Sequence, residues 1–258
     1  MLGHADGICH LFVDNEANLD MALSVALDSK IQYPAACNSI ETLLVHKDIA
    51  STFLEKAIPF FNSKEVKLIG DKRSVELGVK YQASPEDWQT EYLDLILSIK
   101  IVDGLKEAII HIQEFSSKHT DGIITDNLNT ANKYLDRLWT VEGIVKKGRQ
   151  LGKTIGFPTC NIEMQNYVIP KLGVYAVKVN LLSDNKIYKG IANLGLRPTF
   201  NQKKILLEVN IFNFNKKIYG KRIRVEFVKF IRGEKKFKNI NYLKKQIKLD
   251  IKKAKKIN

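Results

Sequence analysis

The chain is poor in the residues that staple small secreted domains. Its 258 residues include three cysteines, Cys9, Cys37 and Cys160, odd in number and far apart, with no CxxC or Cys/His ligand spacing. A disulfide framework and a zinc site are therefore not indicated. Long apolar runs are missing too: none approaches the roughly 18 residues that would span a bilayer. The opening MLGHADGICHLFVDNE is acidic and has neither the basic start nor the apolar stretch of a secretion signal. These absences predict a cytoplasmic protein with no membrane partner.

Charge is present but unevenly spread. Residues 1–138 carry 21 acidic and 13 basic side chains, and the remainder carries 7 and 28. Such a break marks separate domains or a nucleic-acid-binding arm. The lysines, however, are scattered over strand, turn and helix patterns and do not cluster with aromatics. No specific nucleic acid is expected, only weak attraction to polyanions.

Residues 1–138 read as alternating strand and helix. Strands are predicted at Ile8–Val13, Thr42–Val45, Asp94–Val102 and Gly122–Thr125. Helices are predicted at Asn18–Ser29, from an Asp48 cap to Phe61, and near Gly104–Ser117. The remainder shows strand patterns at Thr140–Lys146, Val174–Leu182, Ile187–Asn193, Leu206–Phe214 and Arg222–Phe230. In the last, Ile223, Val225 and Phe227 alternate with Arg222, Arg224 and Glu226, the period of a strand with one buried face. Regular spacing and intervening turns predict an antiparallel barrel. Leu243, Ile247 and Ile251 recur every fourth residue opposite a lysine-rich face, which predicts a closing amphipathic helix.

Within VEGIVKKGRQLGKTIGFPTCNIEM, Gly143, Gly148, Gly152 and Gly156 precede Pro158, Thr159 and Asn161. Glycines let backbone amides approach an anion, so the loop can cradle phosphate, although such loops are more often plain turns. Thr159 and Asn161 offer hard oxygens of the type Mg²⁺ accepts beside nucleotide phosphates. Glu208 interrupts the apolar run ILLEVNIF. From the residues alone, an outward-facing strand glutamate is the preferred interpretation.

The blocks GRQLGKTIGFPTCNI, GVYAV (173–177), GIANLGLRPTF (190–200), LEVNIF (207–212), YGKRIRVEF (219–227) and RGEKKF, with the terminal helix, resemble the riboflavin kinase family in order and spacing. The resemblance implies a six-stranded antiparallel Greek-key β-barrel with a closing C-terminal helix over residues 136–258. It implies that ATP and riboflavin are the substrates. It also implies that Thr159 and Asn161 hold Mg²⁺, and that Glu208 is the catalytic general base. Gly148, Arg149, Gly152, Lys153, Gly156, Pro158 and Arg197 join Thr159 and Asn161 as candidate nucleotide contacts; Arg149, Lys153 and Arg197 read equally well as solvated charges. Cys160 stands where the family has alanine, and Asn213 where aspartate is common, which puts a charge-dependent role there in doubt. No HxGH-type signature accompanies Gly3–His4, so FAD synthesis is not expected.

Residues 1–135 are similar to a different family. GHADGICHLFVD, YPAACNSIETLLVH and WQTEYLDLILSIKIVDGLKEAIIHI resemble γ-glutamyl phosphate reductase, an aldehyde-dehydrogenase-like enzyme of proline biosynthesis. The resemblance implies an α/β fragment of that catalytic domain, with Cys37 as a vestigial nucleophile. A lone cysteine among prolines and alanines reads otherwise as a buried core residue. Only a middle slice of the family is represented, so NADPH is not expected to bind and reductase turnover is not expected. Ala131–Arg137 is compatible with both families.

Overall fold

The structure is a computed structural model. It describes residues 6–148, 151–164, 167, 169–182, 186–198 and 203–257. Two compact units divide the chain, Met1–Thr130 and Ala131–Asn258.

The first unit alternates strand and helix, and its sheet is parallel throughout. Its strands are β1 Cys9–Val13, β2 Ile40–His46, β3 Lys67–Gly70, β4 Tyr81–Gln82, β5 Ile96–Val102 and β6 Asp121–Ile124, in the order β4-β3-β5-β2-β1-β6. Its helices are α1 Leu19–Ile31, α2 Lys47–Ser63, α3 Lys72–Glu76 and α4 Leu105–Phe115; α5 Leu128–Tyr134 crosses the boundary between the units.

β1 and β2 are buried at every position, as a sheet covered on both faces requires. Leu11, Val13, Leu43 and Val45 pack in one cluster with Ala26, Phe53, Leu54 and Phe61 of α1 and α2. Phe12, Leu44 and Val102 pack in another with Ala108 of α4.

Two features depart from the sequence-based expectation. The cap of α2 is His46, whose ring nitrogen accepts from the amide of Asp48, because the helix begins two residues earlier than an Asp48 cap would place it. The short strands β3 and β4 are not announced by the sequence: only three consecutive residues of β3 are buried, and both β4 residues are exposed, too little to show a period.

The second unit is a six-stranded antiparallel sheet closed almost into a barrel. Its strands are β7 Thr140–Ile144, β8 Cys160–Glu163, β9 Gly173–Leu181, β10 Lys186–Pro198, β11 Lys203–Ile211 and β12 Arg222–Gly233, in the order β7-β12-β9-β10-β11-β8. A bridge between Lys146 and Asn161 brings the two end strands together. β12 buries alternate residues Ile223, Val225 and Phe227, the face predicted from its period. The sixth strand, β8, lies in the stretch that reads as a glycine-rich loop; four residues are too few to announce a strand.

Helix α6, Leu151–Thr154, is a single turn before β8. Helix α7, Ile240–Ile257, covers β9 and β10: Ala254 is fully buried with Val174, Ala176 and Ile191, and Ile251 and Ile257 pack against them.

Candidate active site

The closing strand β8 organises one end of the barrel. Its residues pair with β11 so that Asn161 lies opposite Glu208 and Cys160 opposite Val209. Glu208 lies in turn opposite Asn193 of β10, Asn193 opposite Val174 of β9, and Val174 opposite Arg232 of β12. Directly opposed residues share a face of the sheet. Arg232, Val174, Asn193, Glu208 and Asn161 thus form one row across five strands. Thr159, two residues before Asn161, falls on the same side.

A cavity of about 370 Å³ opens on that row. Its lining mixes polar side chains, Thr159, Asn193, Glu208, Asn210, Arg232 and Asp250 among them, with the apolar Val174 and Ile191 of the barrel, Phe237, and Leu243 and Ile247 of α7. A concave site with an apolar majority and a few convergent polar groups is the usual form of a small-molecule site. Helix α7 supplies a polar anchor as well. Asp250, 2% exposed, accepts from Arg232 Nη2 at 2.8 Å and Nε at 3.0 Å, and its other oxygen accepts from Gln246 at 2.8 Å.

Two of the glycines that precede β8, Gly148 and Gly152, stand where a side chain has no room. A Cβ on Gly148 would lie 1.8 Å from Asn161 Nδ2, and one on Gly152 would lie 2.4 Å from the Phe157 carbonyl oxygen and 3.2 Å from Thr159 Oγ1. Gly156 adopts φ +90, which favours glycine by conformation. Gly152 lines the cavity; Gly148, Gly156 and Lys153 do not, and Lys153 is exposed. Pro158 is exposed, and its carbonyl accepts from Asn210 Nδ2 at 2.6 Å. Arg149 lies outside the described residues. Arg197 lies in β10 opposite Lys204, and its side chain is outside the described set.

Asn161 is 6% exposed, and among the described residues its Oδ1 has no hydrogen-bond donor. A buried amide oxygen without a partner is costly. Together with the Thr159 hydroxyl it makes a hard-oxygen pair that fits a divalent cation sharing the site with phosphate. Asn161 is not itself in the cavity wall. Among the described residues no group of three or more His, Cys, Asp or Glu is placed to hold a metal.

Cys160 takes no part: its thiol donates to the Val209 carbonyl, and burial pushes its pKa up to about 12. Asn213 lies in a turn at φ +53, a region asparagine tolerates better than most residues.

Cys37 lies in the turn between α1 and β2 and is exposed, not the core residue that its neighbours suggested; its carbonyl accepts from the buried Cys9 thiol at 3.2 Å.

Asn193, Asn210, Arg232 and Asp250 do not stand out in the sequence as site residues. One signal was available, since Asn193 and Asn210 each break an otherwise apolar strand as Glu208 does.

Comparison with known proteins divides the chain in the same way. Residues 135–258 match the family model described as riboflavin kinase. Over 136 residues the chain is 82% identical to a γ-glutamyl phosphate reductase of Prochlorococcus marinus strain MIT 9312, a match covering 53% of this chain and 31% of the relative. The same-named protein of strain NATL2A is 61% identical over 135 residues, 52% of this chain and 31% of the relative. The chain thus spans about a third of the length of these relatives. A crystal structure of γ-glutamyl phosphate reductase from Thermotoga maritima superposes with a TM-score of 0.51 at 38% identity, covering 53% of this chain and 33% of that one. The first unit accordingly shares the α/β architecture of the corresponding segment of that structure. The chain therefore carries two resemblances: residues 135–258 match the riboflavin kinase family, and the segment before them is similar to γ-glutamyl phosphate reductase.

Proposed function

We propose that the chain transfers the γ-phosphoryl group of ATP to riboflavin, giving FMN and ADP, with residues 136–258 as the kinase module and residues 1–135 as a reductase-like segment without turnover of its own. The observation that carries this reading is that Glu208 and Thr159 line one cavity, with Asn161 directly opposite Glu208 on the neighbouring strand.

The apolar part of the cavity suits a flat ring system, and the polar end suits its sugar-alcohol tail. Glu208 accepts the proton of the terminal hydroxyl as that oxygen bonds to the γ-phosphorus. The bond from phosphorus to the bridging oxygen breaks, and ADP leaves. Thr159 and Asn161 would hold Mg²⁺, which supplies charge neutralisation to the phosphates when bound. Phosphoryl transfer depends chiefly on positioning and charge stabilisation. Gly152 contributes by letting the α6 backbone lie against the Thr159 hydroxyl.

Three free cysteines suit a reducing compartment such as the cytoplasm. Among the described residues no helix is long and apolar enough to cross a membrane. The test of the reading is FMN formation from riboflavin, ATP and Mg²⁺ by the full chain. Glu208→Gln is expected to lower kcat by about 10²-fold or more with the thermal midpoint unchanged. Near-wild-type turnover by that variant removes Glu208 from the mechanism.

A further inference from the structure

The row across the barrel places a second amide beside the carboxylate. Asn193 stands one strand from Glu208 on one side and one strand from Val174 on the other. Neighbouring strands are about 4.8 Å apart. Val174, Asn193 and Glu208 all line the cavity, and the strand register puts Asn193 between the other two. At Gly195, a Cβ would meet Glu234 Oε1 at 2.5 Å and Asn193 Nδ2 at 3.2 Å, so the amide occupies space that a side chain there would take.

On the riboflavin kinase reading, the ring occupies the apolar part and the reacting terminal hydroxyl meets Glu208. The hydroxyls between them must then pass Asn193. We propose that Asn193 is a specificity-determining residue, its carboxamide hydrogen-bonded to an interior hydroxyl of the substrate's sugar-alcohol chain. A carboxamide offers both a donor and an acceptor, and a hydroxyl can use either. Asn193 is half-buried, so a substrate lacking that hydroxyl leaves a partly desolvated amide unpaired. Sites built to bind a substrate hydroxyl discriminate against the analogue without it for this reason.

The experiment measures kcat/KM of the full chain for riboflavin and for analogues that each lack one interior hydroxyl, in wild type and Asn193→Ala. Wild type is expected to prefer riboflavin over one analogue by about tenfold, and Asn193→Ala to reduce that preference to near unity. If the variant retains the wild-type ratio while losing rate equally on every flavin, Asn193 is structural and the proposal is overturned. Should Asn193→Ala not fold, Asn193→Ser carries the same ratio test. If wild type phosphorylates no flavin, the kinase reading itself fails, a result distinguishable from an unchanged ratio.

Discussion

Arg232 and Asp250 meet at 2.8 Å, joining the end of strand β12 to the buried face of helix α7. The pair lies in the wall of the cavity and has side-chain exposures of 15% and 2%. Its partners are well matched, since Gln246 takes the second carboxylate oxygen and the Gly233 carbonyl accepts from Arg232 Nη1. Removing one member of such a pair leaves the other charge desolvated.

Asp250→Ala is therefore expected to destabilise the second unit by about 3 kcal/mol. Trp139, which packs on Phe227 at 4.9 Å between ring centres, reports that unit by fluorescence once Trp88 of the first unit is replaced by Phe. Urea midpoints in the Trp88→Phe background measure the change. An unaltered midpoint means that the ion pair does not hold the helix.

Gly152→Ala tests the approach of α6 to the site. The added methyl would lie 2.4 Å from the Phe157 carbonyl oxygen, a backbone atom that cannot move without the turn. Overpacking of this kind costs about 1–3 kcal/mol. Because Thr159 Oγ1 is the next atom met, FMN formation should fall at least about tenfold, as misplacement near a reacting centre predicts. Full activity would show that the loop relaxes without disturbing Thr159.

The first unit should be sensitive to acid. Burial, then the neighbouring Lys100 ammonium and His10, hold the pKa of His111 down to about 3, from an ordinary 6.5. Lys100 Nζ lies 3.1 Å from His111 Nδ1, and His10 lies 3.4 Å from Asp121. A base whose folded pKa is depressed contributes stability that is complete above its unfolded pKa and is lost as pH falls from about 6.5 toward 3. The slope approaches about 1.4 kcal/mol per pH unit for one proton. Trp88, in edge contact with His111, reports the transition in a Trp139→Phe background. His111→Phe should flatten the pH dependence of the urea midpoint over this range; a profile unchanged by the substitution assigns the acid response to other groups.

Much of the barrel was legible because its strands alternate. Ile223, Val225 and Phe227 announced the buried face of β12, and Leu243, Ile247 and Ile251 announced the seat of α7. Asp250 was not legible. It falls on that apolar face as a charged interruption, and its partner Arg232 is eighteen residues away on a different element. The strand at Cys160–Glu163 was hidden by its length and by the glycines before it. The row from Arg232 to Asn161 was hidden for another reason, since each of its members depends on the register of a separate strand pair.

What the sequence determined by itself is the division of the chain into two units, the type of its longer strands and helices, and the residue blocks that resemble two families, all properties of short windows of chain. Tertiary structure alone decided that Asn193 stands beside Glu208, that Asp250 is neutralised by Arg232, and that Cys37 is exposed. Antiparallel register and barrel closure are set by contacts between residues far apart in the chain, and no local period encodes them.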